Sequence, residues 1–253
     1  MDVNKSIKKN KGAVEKPTVT PFKQLQQALK KGYYRDKFID ILGEKKGVAM
    51  CNNIILTAYA NTSLQKVNPL SIITSSLCAA VTDLSLEKSL GQSCIVPYSG
   101  ECQFQVMKNG YIELALRSNL LHTINETRVY EGEIEVNKFT GDIKMMQQLN
   151  DGVYAGNLAY IRYLSGFEKF KYMSKEEIEA HAQKYSSSFR NKRGLWVDDF
   201  QSMAKKTVIK LLLKEFGSKA DDRGAVSALE MGLKFDQGTP TDDTLTKIEY
   251  LDA

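Results

Sequence analysis

Residues 155–173 read AGNLAYIRYLSGFEKFKYM, and the way this stretch divides sets the fold class. Residues 155–164 and 167–173 are two runs rich in Tyr, Ile, Leu and Phe that flank the turn pair Ser165-Gly166, which predicts two antiparallel strands. Within the second run a period of two sends Lys169 and Lys171 to one face and Phe170 and Tyr172 to the other. Ser174 then stands three residues before Glu177, a capping box that opens a polar helix running through Ala182. Sheet gives way to helix at Ser174.

Toward the N-terminus the period of two persists. Residues 123–131, 133–136 and 142–146 are predicted strands, the last two joined by the turn Thr140-Gly141-Asp142. Residues 93–98 and 103–108 form a hairpin around Ser99-Gly100-Glu101, and residues 111–118 between these groups are helical. Pro97 is the one proline in the predicted strands, as real sheet requires. Earlier still the pattern is helical at residues 35–42 and 48–60, and again after Asn68, which caps a helix with Pro69 in its first turn. Beyond the quoted stretch, residues 196–216 form the longest helix, stopped by Gly217, and residues 221–234 hold a weaker one. Helices, then strands, then helices make an α+β chain.

The 253 residues, 42% hydrophobic and 26% charged, suit one globular core with tails. The net charge of +5 is unevenly placed. Residues 1–31 carry eight Lys against Asp2 and Glu15, and residues 236–253 carry five acids against Lys247. Lys5, Lys8, Lys9 and Lys11 precede no apolar run, so a secretory signal is not expected, and no stretch approaches the ~18 apolar residues of a membrane span. Cys51, Cys78, Cys94 and Cys102, with His122 and His181, have neither zinc-site nor disulfide spacing, which points to a reducing cytoplasm. Phosphate loop, dinucleotide fingerprint, nucleophile elbow and HExxH are all missing. Asp198-Asp199, Asp221-Asp222 and Asp242-Asp243 are the carboxylate pairs a metal-dependent nuclease would use, but the first opens a helix, where acid complements the dipole.

Chemistry concentrates between Tyr154 and Lys214. Residues 154–200 hold ten of the 23 aromatic residues, and residues 154–214 hold twelve Lys and Arg against six acids. Cations for phosphates and rings for bases are what single-stranded nucleic-acid binders combine. Rings on strands also fill ordinary cores, and lysine faces are also merely solvated. On a wheel of ~100° per residue, Trp196, Phe200, Met203, Ala204, Thr207, Val208 and Leu211 share an arc of roughly 140° that faces the core. Lys206 and Lys210 sit at its margin, while Lys205 points nearly the opposite way.

The run at residues 196–213, WVDDFQSMAKKTVIKLLL, resembles the signature helix of the RecT family of phage single-strand annealing proteins. Other blocks follow that family's order and spacing: Leu90-Gly91-Gln92, Ile95-Val96-Pro97-Tyr98, residues 109–118, Arg128-Val129-Tyr130-Glu131-Gly132-Glu133, Phe139-Thr140-Gly141-Asp142, residues 160–170, and Met173-Ser174-Lys175-Glu176-Glu177. They span about residues 35–217. Two positions depart from the pattern. Met107 stands where the family often has Tyr, and Asn119 replaces a Gly that follows Arg-Ser, a position where Asn still suits a left-handed helix cap.

The resemblance implies a central antiparallel sheet of about five strands with packed helices in a ββαβββα core, and a basic groove between sheet and helices. It implies an oligomer, ring or helical filament, that binds single-stranded DNA, anneals it to a complement without ATP or any required cofactor, and holds the annealed duplex. Mg²⁺ enters only as an assistant. The partners implied are an exonuclease and the host single-strand-binding protein, in the cytoplasm of a bacterial host, with no membrane. By motif match the DNA-binding residues are Lys205, Lys206, Lys210, Arg117 and Arg128, then Lys108 and Arg162, with Lys192 and Arg193 as a flap; no residue is assigned to catalysis or metal binding. The implied division is a basic, largely flexible arm (1–31), an annealing core (32–217) and an acidic partner-docking tail (218–253). Deleting residues 236–253 is expected to spare annealing of bare strands. Deleting residues 2–16 is expected to weaken binding modestly. A metal-dependent nuclease and an RNA-binding sheet protein are the alternatives, separated by Mg²⁺-dependent shortening of DNA and by RNA competition.

Overall fold

The structure, a computed structural model, describes residues 20–218 and 228–236. It opens with four helices, α1 (Pro21–Lys30), α2 (Tyr33–Leu42), α3 (Glu44–Ala60) and α4 (Pro69–Val81). The hairpin β1 (Ser93–Tyr98) and β2 (Glu101–Val106) leads to α5 (Lys108–Leu116). Five strands follow: β3 (Leu121–Tyr130), β4 (Ile134–Val136), β5 (Ile143–Met145), β6 (Tyr154–Tyr163) and β7 (Glu168–Ser174). The chain closes with α6 (Lys175–Tyr185), the single turns α7 (Ser187–Arg190) and α8 (Leu195–Asp198), α9 (Phe200–Phe216) and α10 (Ala228–Phe235).

The α+β class and the antiparallel pairing hold; the single five-stranded sheet does not. Strands divide into a hairpin β1-β2, a three-stranded sheet ordered β3-β6-β7, and a small hairpin β4-β5. The reason lies in the connections. Gly132 and Gly152 take positive φ at the ends of β3 and before β6, so the chain leaves the sheet after Tyr130, makes β4-β5 outside it, and returns. The first hairpin is instead held by α4, whose buried Ser71 and Ser75 hydroxyls bond to the backbone of Cys102 at 2.9 and 2.8 Å. α4 is buried on almost every side from Ser71 to Ala80, well beyond the apolar stripe expected of it.

α1 lies where a basic arm was expected. Thr20 caps it, Pro21 occupies its first turn, and Leu25 and Leu29 are buried. Only two deeply buried apolar residues among Gln and Lys made it hard to see. Asn119 takes the left-handed conformation after α5, φ +54°, as an Asn replacing a cap Gly must. The long helix expected from Trp196 breaks at Asp199, whose carboxylate caps α9 by accepting from the Ser202 amide.

Gly110 shows how tightly α5 is seated. A Cβ there would come 2.0 Å from the Gln92 carbonyl oxygen, and that same oxygen accepts from the Met107 amide at 2.8 Å. Gly110→Ala is therefore expected to cost about 1–3 kcal/mol or more, because backbone must move to admit the methyl. Urea unfolding compared with wild type checks this; matching midpoints would mean α5 is free to shift.

Candidate nucleic-acid interface

Among the described residues β3 is an edge strand of its sheet, with β6 as its one neighbour. Alternation places Ile124, Glu126 and Arg128 on the face shared with Ala159 and Ile161 of β6, which is packed against the helices. Glu126 therefore points inward, and its side chain is only 8% exposed. Two lysines reach it from different elements. Lys108 Nζ, at the start of α5, lies 2.8 Å from Oε1, and Lys205 Nζ, on α9, lies 3.2 Å from Oε2. Both lysines keep about a third of their side-chain surface in solvent. Arg128 is exposed two residues along. Arg128 and Lys205 line an open cleft of about 530 Å³ between β3 and the β4-β5 hairpin, whose walls include Asn125, Thr127, Met145 and Gln148.

Three of the expected DNA-binding residues, Lys108, Arg128 and Lys205, are thus gathered at β3. The other six stand elsewhere. Lys206, expected at the margin of the apolar arc, is 3% exposed and, ~100° around α9 from Lys205, meets a different carboxylate. Its Nζ is 3.6 Å from Asp236 Oδ1, while Lys210 bonds Oδ2 of the same carboxylate. Asp236 also accepts from the Val106 amide at 2.9 Å, and its side chain is wholly buried. Burial would raise the Asp236 carboxyl, but the charges of Lys206 and Lys210 outweigh it and hold it below the ordinary carboxylate range. Burial pulls Lys206 below the usual lysine range despite Asp236. Burial first, and then the Asp236 charge, push the neighbouring Tyr111 phenol up.

Arg117 donates to the Thr82 and Asp83 carbonyls at 2.6 and 2.8 Å, which closes the C-terminal end of α4. Arg162 sits 3.0 Å from the His122 imidazole on the far side of the sheet. Lys192, at φ +50°, and Arg193 are exposed in the turn between α7 and α8. The outer sheet face carries the stacked rings of Tyr160 and Phe170, centroids 4.7 Å apart. Lys171, on the helix-facing side, instead pairs with Glu215 of α9 at 3.5 Å.

Two carboxylates that hold these lysines, Glu126 and Asp236, escaped sequence reasoning. Asp236 was counted with the acidic tail, and nothing local marks it as buried. Glu126 carried only a weak signal: it falls two residues after Ile124, on the same face of the strand. Of the acidic pairs, Asp199 caps α9, and both Asp221-Asp222 and Asp242-Asp243 lie outside the described residues. Among the described residues no three His, Cys, Asp or Glu side chains converge as metal ligands. Cys51, Cys78 and Cys102 are buried free thiols and Cys94 is partly buried; burial pushes Cys78 and Cys102 up to about 12. No helix among the described residues is long and apolar enough to cross a membrane.

Lys108, Arg128 and Lys205 thus gather positive charge along one strand of a small antiparallel sheet, and such charge attracts polyanions. Sequence comparison makes the class specific. The profile of the RecT family matches residues 50–245, and the chain belongs to that family. It is 34% identical over 224 residues to the uncharacterized protein YqaK of Bacillus subtilis strain 168, covering 86% of this chain and 76% of that one. It is 28% identical over 185 residues to Protein RecT of Escherichia coli K12, covering 66% and 68%. Membership of this family points to single-stranded DNA annealing in recombination.

Proposed function

We propose that this chain binds single-stranded DNA along the β3 cleft and anneals it to a complementary strand without ATP. The observation that carries the reading is the convergence of Lys108, Arg128 and Lys205, from three separate elements, in a chain of the RecT family. Two polyanions must approach with their base edges free, and backbone cations lower the phosphate repulsion without reading sequence. Each protomer supplies a few such contacts, and assembly along a strand multiplies them. The Tyr160-Phe170 rings and Arg162, on the outer face, are a secondary surface. Lys192 and Arg193 are a second, more exposed contact. The annealing unit runs from α1 through Asp236, and residues 237–253 remain for docking an exonuclease or the host single-strand-binding protein.

Binding of labelled oligo(dT) should weaken with salt. Three neutralised phosphates per protomer give a log–log slope of about −2, at roughly −0.7 per phosphate for single strands. A flat titration, or binding that requires ATP, would overturn the reading. An RNA competitor more effective than DNA would move it to a 2′-hydroxyl reader.

A further inference from the structure

We infer that Glu126 is a built-in counter-anion that competes with the DNA backbone for Lys108 and Lys205 and so sets how long a strand stays bound. The inference rests on the cleft being the strand's site. A carboxylate held between Lys108 and Lys205, beside the cleft that Lys205 lines, opposes polyanion binding, because it repels phosphate and lowers the charge of the two lysines together from +2 to +1. Its placement argues against an incidental surface acid. The side chain is 8% exposed, and its two oxygens are divided between the two lysines, Oε1 to Lys108 and Oε2 to Lys205. Neither lysine has another ion-pair partner among the described residues.

The geometry gives Glu126 two consequences. Without DNA it fixes two long side chains, one from α5 and one from α9, against β3, so less rotamer freedom is lost when phosphate arrives. With DNA it waits within reach of both amines, and each phosphate that loosens finds its lysine recaptured. A strand held this way exchanges quickly, which a protein that must test many registers before pairing requires. The ligand recognised is the phosphodiester backbone, independent of base.

The test is a charge cycle of wild type, Glu126→Gln, Lys205→Gln and the double variant. Oligo(dT) affinity and dissociation rate are measured across salt, with thermal midpoints alongside. Gln keeps the size and an acceptor oxygen but removes the charge. Glu126→Gln is expected to bind about tenfold tighter near 0.1 M salt, as removing one negative charge ~6 Å from a phosphate implies under partial screening. Its salt slope should steepen by about 0.7, with most of the gain in slower dissociation. Lys205→Gln should bind more weakly, and the double variant should return close to wild type. Unchanged or weaker binding by Glu126→Gln with wild-type slope overturns the inference and leaves the site intact. If Glu126→Gln does not fold, the double variant compared with Lys205→Gln decides, and equal affinity overturns it. Salt-insensitive wild-type binding would instead remove the reading on which the inference stands.

Discussion

Asp236→Ala is expected to destabilise the protein by about 3–5 kcal/mol, the cost of leaving buried lysine charge without its partner. Lys206 has no route to water in its present position, and Lys210 would lose its bond as well. Removing residues 236–253 should have the same effect, contrary to the sequence expectation that this deletion spares annealing of bare strands, whereas removing residues 239–253 should not. Urea midpoints of the three variants check this. The joint substitution of Lys206 and Lys210 by Ala would strand the Asp236 carboxylate. Weak binding by that variant would then report unfolding. The pH dependence has a definite sign. The Asp236 carboxyl is depressed in the folded state, so its stabilisation is complete above the ordinary aspartate value of about 3.9 and fades as pH falls through the folded value. The stability difference between wild type and Asp236→Asn should therefore shrink below about pH 4. A difference that stays constant to pH 3 would show that the carboxylate's charge is not what holds α10.

Trp196→Ala should cost a comparable amount, about 3–5 kcal/mol for emptying a large aromatic site. The ring is 7% exposed. It meets Phe189 edge-on at 5.6 Å and Phe200 at 5.9 Å, and Phe200 in turn meets Tyr154 of β6 at 6.3 Å. These contacts tie three short elements to the sheet: α7, α8 and the first turn of α9. The exposed Lys192-Arg193 turn hangs from this cluster, so its loss should also increase amide exchange at residues 187–198. Because Trp196 is the single tryptophan, unfolding of the variant is followed by circular dichroism. A midpoint equal to wild type would show that the aromatic cluster carries no stability.

Much of the fold was legible in the residues themselves. Turn pairs and a period of two located every strand to within a few positions. Asn68, Ser174 and Asn119 marked helix ends by chemistry that depends on only a few neighbours. Sheet order was not legible, because it depends on how far the chain leaves β3 before returning in β6, and β4-β5 looks locally like any other hairpin. At the site, Lys108, Arg128 and Lys205 were named in advance, but their convergence was not, since it is created by an inward-pointing Glu126. Lys206 shows the opposite failure. A helical wheel scores a lysine by its angle from the apolar arc, and α9 is enclosed on more sides than an amphipathic helix needs. Arg117 illustrates a third case, a cation whose donors serve the carbonyls at the end of α4 and whose partners lie 34 and 35 residues earlier.

The bond from the Val106 amide to Asp236 joins residues 130 positions apart, and this has a consequence in time. A ribosome adding 5–20 residues per second takes roughly 6–26 s to pass from one to the other. Through that interval β2 and α5 have no carboxylate to receive, and once Lys206 and Lys210 emerge they remain two cations without an anion in an apolar setting. Among the described residues, the last of these contacts in chain order is made by Asp236. A nascent chain released early by a damaged message therefore ends with uncompensated lysines and an unfinished interior, the condition that proteases and chaperones act upon. The Asp236 ion pairs thus couple closure of this interior to synthesis of the chain as far as residue 236.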